Sequence, residues 1–161
     1  MKKVVKLIKL DRIDRNILRE LQKNGRISNV ELAKKVGLSP TPCMERVKRL
    51  EKSAVIKSYT ALLDPQYLDA NLLVYIEIRL KRTTADVFER FNEATKQIDE
   101  ILECHLVSGD FDYLLKTRVA DMSAYRKVLN QTLLALPDIK DSRTYVVMEE
   151  VKYLTTINIA N

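Results

Sequence analysis

The chain has 161 residues, 46% hydrophobic and 31% charged, with only 3 glycines and 4 prolines, a composition that excludes a disordered or collagen-like protein. No apolar run approaches the roughly 18 residues of a membrane span, and Met1 to Leu10, where Lys alternates with Val, Leu and Ile, lacks a signal-peptide core. The net charge of +6 is uneven: residues 1–64 carry 16 Lys and Arg against 7 Asp and Glu, residues 65–161 carry 12 against 15, giving +9 and −3.

A basic front half joined to a slightly acidic back half confines the expectation of a polyanionic partner to the front half. Cys43 and Cys104 lie far apart and form no CxxC pair, and His105 is the single histidine. A zinc site would therefore lack ligands, no metal or cofactor is expected, and the cysteines read as reduced thiols of a cytoplasmic protein.

Leu10, Ile13, Ile17, Leu18 and Leu21 recur at helical spacing behind a capping Asp11, and Asn24-Gly25 ends that first helix. Ser28 and Glu31, three residues apart, read as a capping box that opens a second, short helix burying Leu32, Ala33 and Val36. Gly37 stops it where the backbone needs positive φ, and Leu38 can tuck into the turn. Ser39 then caps a third helix, with Pro40 at the first helical position. In that helix Cys43, Val47 and Leu50 form one apolar stripe, while Thr41, Glu45, Lys48 and Arg49 project from the opposite side, flanked by Pro42, Met44 and Arg46.

Two short helices joined by a tight glycine turn, the second presenting polar and basic groups, match a helix-turn-helix whose second helix fits the major groove of duplex DNA. Arg46, Lys48 and Arg49 suit phosphates or guanines, Glu45 can accept from cytosine N4, and Thr41 can meet a base edge or a thymine methyl. With Ser39 and Pro42 at the start of the helix they form the candidate DNA-contacting set. A charge run of this kind can also be a solvated outer face; the agreement of spacing, caps, turn glycine and basic excess favours DNA. The β-branched run from Ala54 to Leu63 predicts a short ribbon or wing, where Lys57 and Tyr59 can reach phosphates. The expected division is a winged helix-turn-helix over 1–61, a linker over 62–71 marked by Asp64-Pro65, and a second domain over 72–161.

Leu72 to Leu80 alternates, with Val74, Ile76, Ile78 and Leu80 on one face and Tyr75, Glu77 and Arg79 on the other. A helix is expected over about 84–98, strands at about 101–107 and 112–119 around a tight Ser108-Gly109-Asp110 turn, a second helix over 121–135 capped by Asp121, and a last strand over 140–152. Strand, helix, strand, strand, helix, strand is the ferredoxin-like order, so the fold class is α+β. Such a sheet leaves one face bare; that face is expected to include apolar residues such as Tyr75 or Val146 and to be covered by another copy of the chain.

The run Leu10-Asp11-Arg12-Ile13-Asp14-Arg15-Asn16-Ile17-Leu18, the segment from Gly25 through Ser39-Pro40-Thr41-Pro42-Cys43, and the run from Glu103 to Tyr113 (ECHLVSGDFDY) closely resemble the Lrp/AsnC family of bacterial transcriptional regulators. The resemblance covers about residues 10–152 and leaves out Met1 to Lys9 and the tail from Tyr153. It implies a winged helix-turn-helix joined to a regulator-of-amino-acid-metabolism domain, assembled as dimers and disc-like octamers, associated with the nucleoid and activating or repressing amino-acid metabolism genes. It further implies an amino-acid effector, leucine first and methionine or alanine as alternatives, bound between dimers near the turn of Ser108, Gly109, Asp110 and Asp112. Leu106, Met122, Tyr145, Val146 and Val147 fall in the regions that the family uses to govern the response.

The chemistry is compatible: an ammonium suits a carboxylate such as Asp112, a carboxylate suits turn N–H groups, and an aliphatic side chain suits Leu106 or Met122. An ordinary hairpin turn in which Asp favours the geometry is the other reading of these residues. Three rivals remain. His105, Asp110 and Asp112 supply a minimal acid–base set, but no nucleophile motif or phosphate loop accompanies them, so catalysis is not expected. A stand-alone amino-acid sensor does not account for the basic front half. Architectural DNA compaction overlaps with the regulator reading.

Overall fold

The computed structural model describes residues 8–133 and 135–160, of which the side chains of Thr132 and Leu133 are left aside; of the lysine-rich Met1–Lys9 stretch only Ile8 and Lys9 fall within it. The chain divides into two compact units. One runs up to Leu62 and is joined by the stretch from Tyr153 onward; the other is Leu63–Lys152.

In the first unit, α1 (Arg12–Lys23), α2 (Asn29–Val36) and α3 (Pro40–Lys52) follow in close succession. Asp11 caps α1 in a full capping box with Asp14, each side chain accepting from the other's backbone N–H. Ser28 caps α2 by accepting from the Glu31 N–H, while the Glu31 carboxylate accepts from the Ser28 hydroxyl, so only half of the expected box forms. Gly37 adopts φ 72°, ψ 37°, and the Leu38 N–H donates to Ala33 O at 2.9 Å, the wrapped-back ending that requires a left-handed residue. Asn29 Nδ2 donates to Pro40 O at 2.8 Å, tying the start of α2 to the start of α3.

Ile17, Leu32, Ala33, Val36, Cys43 and Leu50 are buried as a core, with Ile13, Leu18, Leu21, Leu38 and Val47 packed against it. Full burial of Ile17 and of Leu50 stabilises by about 1.5–3 kcal/mol each. Burial also pushes the Cys43 thiol above its ordinary pKa.

The expected ribbon is not formed as a strand: residues 54–62 contain none. The N–H groups of Val55 and Ile56 both return to Leu50 O, Ile56 packs on the core, and the Tyr59 hydroxyl donates to Glu51 at 2.9 Å. Among the described residues of this unit no second strand faces the β-branched run, so it closes back on the helix end instead of pairing.

The second unit opens with a short 3-10 turn, Pro65–Leu68, and continues as β1 (Leu72–Leu80), α4 (Ala85–Thr95), β2 (Ile101–Leu106), β3 (Tyr113–Val119), α5 (Met122–Val128) and β4 (Ile139–Val146). The sheet order is β2-β3-β1-β4, antiparallel throughout, the ferredoxin-like arrangement that the sequence predicts. Val74, Ile76, Ile78 and Leu80 of β1 and Tyr113, Leu115 and Val119 of β3 pack with Val87 and Phe91 of α4 and Tyr125 of α5 in one apolar core. The expected helix over 121–135 stays α-helical only to Val128 and widens into a π turn over Leu129–Leu133.

Two further expectations change. Strand β4 ends at Val146, well short of 152. The pairing Tyr75↔Tyr145 and Val74↔Val146 places Val146 on the helix-covered side and Tyr145 beside Tyr75 on the open side, because successive residues of a strand point to opposite faces. The open face is also more charged than expected: Lys116 binds Glu103 at 2.7 Å, His105 lies 3.1 Å from the same carboxylate, and Arg79 lies 4.0 Å from Asp141. Hydrogen bonds from Lys116 and His105 hold the Glu103 carboxyl below its usual pKa.

Within the expected second domain of 72–161, the stretch from Tyr153 onward makes its contacts elsewhere. Residues from Tyr153 onward group with the first unit, since Arg15, Arg19 and Gln22 of α1 bond to the backbone of Ile157, Ile159 and Ala160. Contacts spanning some 135–145 residues of sequence leave no local signature.

Candidate nucleic-acid interface and effector regions

Helix α3 begins at Ser39, whose extended backbone occupies the cap position without a side-chain cap bond, and Pro40 starts the helix at no hydrogen-bonding cost. Cys43 and Leu50 are buried and Val47 is half-buried, which rotates Thr41, Met44, Glu45 and Lys48 into solvent along one face. Pro42 is half-buried, and Lys57, beyond the helix, is exposed. Neither Lys48 nor Lys57 makes an ion pair among the described residues. A cation held by no carboxylate is ready to replace a counterion on a phosphate.

Arg46 and Arg49 stand differently. Asp14 is 1% exposed, and its two oxygens accept from the Asp11 N–H at 3.1 Å, from Arg46 Nη1 at 2.9 Å and from Arg49 Nη2 at 2.6 Å. Arg46 Nη1 also lies 2.6 Å from Asp11 Oδ2. The Asp14 N–H bond and the Arg46 guanidinium together hold the Asp11 carboxyl below its usual pKa, and bonds to Asp11 and Asp14 raise Arg46 further. Both arginines thus brace α3 against the start of α1. Arg46 is mostly withdrawn, with 28% of its side chain accessible, while Arg49 at 51% keeps donors facing outward. Asp14 was not among the candidate residues; its signal was the Asp-x-x-Asp spacing at 11 and 14 with two arginines three apart on α3.

In the second unit the candidate effector residues fall into two groups. Ser108, Gly109, Asp110 and Asp112 form the β2–β3 turn, with Gly109 at φ 150°. Asp112 organises it: its N–H donates to Ile78 O, its carbonyl accepts from Val107, and its Oδ2 accepts from the Leu80 N–H at 2.7 Å. The Asp110 carbonyl accepts two bonds from the Arg79 guanidinium. Leu106 pairs with Tyr113 at the mouth of this turn and is 60% exposed.

Met122, Tyr145, Val146 and Val147 are at the other end of the sheet. Val146 pairs with Val74, Val147 donates to Leu73 O, and Met122 opens α5 just after Val119, the partner of Leu72. Leu106 reaches β1 through Tyr113, the partner of Ile78. At about 3.3 Å per strand residue the two groups are some 13 Å or more apart along the sheet, so one chain does not gather them into one site.

Residues 10–57 match the family described as winged helix-turn-helix DNA-binding, and residues 73–157 match the Lrp/AsnC ligand binding domain. The chain is 73% identical over 143 residues to the leucine-responsive regulatory proteins of Klebsiella pneumoniae and of Escherichia coli K12, covering 89% of this chain and 87% of each relative. Among solved structures it resembles a Neisseria meningitidis transcriptional regulator in complex with L-Met, with a TM-score of 0.87 and 36% identity over 93% of this chain and 97% of that one. It also resembles E. coli AsnC, at 0.84 and 25%, covering 92% and 99%. These relatives are regulators rather than enzymes, which removes the acid–base reading of His105, Asp110 and Asp112. With both domain families matched in order and nearly three residues in four shared across most of its length, the chain belongs to the Lrp/AsnC family of DNA-binding transcriptional regulators.

Proposed function

We propose that the exposed face of α3 reads duplex DNA, with Thr41 and Glu45 at base edges, Lys48 and Lys57 on phosphates, and Ser39 and Pro42 setting the approach of the helix start. Arg49 adds a phosphate contact through its outward donors, and Arg46 acts mainly by holding α3 in place. The observation that carries this reading is the unpaired, solvent-facing row of Thr41, Glu45 and Lys48 on a helix fixed by the Gly37 turn.

The second unit binds a free amino acid and alters DNA occupancy. Leucine comes first, because 73%-identical relatives carry leucine-responsive in their names; methionine follows, because a structural relative was solved with L-Met. The effector lies between copies of the chain, where the Ser108–Asp112 turn and Leu106 of one copy meet Met122 and Tyr145–Val147 of another. This arrangement explains why both groups are exposed at opposite ends of one sheet. Dimers and larger rings such as octamers follow from it, as does association with the nucleoid.

The experiment is fluorescence anisotropy of a labelled AT-rich promoter duplex titrated at several salt concentrations, without effector and with millimolar leucine or methionine. Steeply salt-dependent binding that shifts with one amino acid supports both parts. Binding indifferent to every amino acid removes the sensing part, and no binding at low salt removes the DNA part.

A further inference from the structure

The stripe Arg15, Arg19 and Gln22 on the outer side of α1 is a docking surface for an extended backbone, and the chain's own tail occupies it. Gln22 grips Ile157 from both sides: its Nε2 donates to Ile157 O at 2.9 Å and its Oε1 accepts from Ile157 N–H at 2.7 Å. Arg19 donates twice to Ile159 O, at 2.9 and 3.2 Å, and Arg15 donates to Ala160 O at 3.1 Å. Positions 15, 19 and 22 are one helical stripe, and each of these bonds goes to the main chain of the tail. The Leu154 and Ile157 side chains remain 66% and 77% exposed. Ile159 is half-buried, so the tail adds some apolar burial to these polar bonds, and the entropy of ordering it opposes both.

The other end of the tail leaves the second unit just after the effector region. Val147 bonds to Leu73 O, Glu150 pairs with the Arg118 guanidinium, and the unit ends at Lys152. The chain thus crosses between the units twice, at Leu62/Leu63 and at Lys152/Tyr153.

We propose that residues 153–160 form a releasable strap on α1, and that effector control of DNA binding passes from the Tyr145–Val147 region through this strap to the helix-turn-helix. The inference rests on the effector reading given above. A strap that is docked in one effector state and released in the other changes the freedom of the DNA-binding unit without touching its DNA-contacting side chains.

The test compares three proteins: the full chain, the chain ending at Lys152, and R19A/Q22A, which keeps the tail but removes most of its grip. Promoter-duplex affinity is measured with and without leucine, and leucine affinity by calorimetry. A shift in DNA affinity of at least about fivefold with leucine in the full chain is expected to fall below about twofold in both variants. Leucine affinity is expected to stay within about twofold of the full chain, and the DNA affinity of both variants, with or without leucine, to match that of the full chain in the effector state that releases the strap. Variants that respond as the full chain does overturn the strap alone. Loss of leucine affinity in the shortened chain overturns it too, by making the tail part of the effector site. A full chain that never responds sinks the effector reading, and the strap falls with it.

Discussion

The proposed DNA-facing and effector-facing regions are built on opposite plans. The first lies on one face of one helix, so a single copy of the chain presents it whole. The second is divided between the two ends of a four-stranded sheet, with Leu106 and the Ser108–Asp112 turn at one end and Met122 and Tyr145–Val147 at the other. A function carried on a helix face needs only that the helix be held still. A function carried on two sheet ends needs either half of the residues or two chains. The carboxylates show the same contrast: Asp14 is saturated by two arginines and a backbone N–H, whereas Asp112 accepts one bond from Leu80 and is only half-buried.

The largest effect is expected at Asp14. Asp14→Ala leaves Arg46 and Arg49 without their shared acceptor and the α1 cap half-made. Because both arginines can reach water, the loss is about 2–3 kcal/mol in urea unfolding of the first unit, at the low end for a broken buried pair. An unchanged midpoint would mean that α3 is held by its apolar stripe alone. Lys48→Ala is the cleaner probe of the DNA face, since Lys48 braces nothing: affinity should fall about five- to tenfold across unrelated sequences and the salt slope should flatten by about 1. Arg49→Ala should do the same and also lower stability, and comparing the two separates contact from bracing.

The divided effector region makes a prediction that a single-chain site does not. Asp112→Ala and Tyr145→Ala should each abolish the leucine response and leave basal DNA binding intact. Mixed oligomers of the two should recover a partial response, because some junctions then join an intact turn to an intact β4 end. A mixture as unresponsive as its parents would place both groups in separate roles. Gly109→Ala is expected to cost about 1 kcal/mol, since φ 150° suits a residue without Cβ even though open space surrounds it. The smallest effect concerns acid. Glu103 is held below its usual pKa by Lys116 and His105, so its contribution is present above about pH 4.5 and lost as pH falls through the lowered value. Glu103→Gln should make the acid limb of the stability–pH curve shallower and leave its neutral region alone.

Where contacts were local, the sequence was readable. Asp11, Ser28 and Gly37 mark helix ends through bonds made within four residues, Pro40 marks the start of α3 by its fixed φ and missing N–H, and the alternation of β1 named its buried side in advance. What failed was set by distant partners. The run after Leu50 has the β-branched character of a strand but, among the described residues, meets no strand to pair with. Val146 lies on the covered face and not the open one because of its register against Val74, which cannot be read from β4 alone. The roles of Arg46 and Arg49 depend on Asp14, more than thirty residues upstream. Their charge was visible, but not the carboxylate that claims it. The proposed effector regions come from the family resemblance, and only register reveals that they lie at two ends of the sheet.

The strap also sets an order of events during synthesis. Helices α1 to α3 close their core from residues 8–56, so that core can form while the rest of the chain is still being made. The stripe of Arg15, Arg19 and Gln22 stays wet until residues 157–160 exist to cover it. A nascent chain therefore passes through an interval in which its recognition helix is finished and its tether is not. Any product cut short in that interval would reach DNA with its surface for it complete and its second attachment missing.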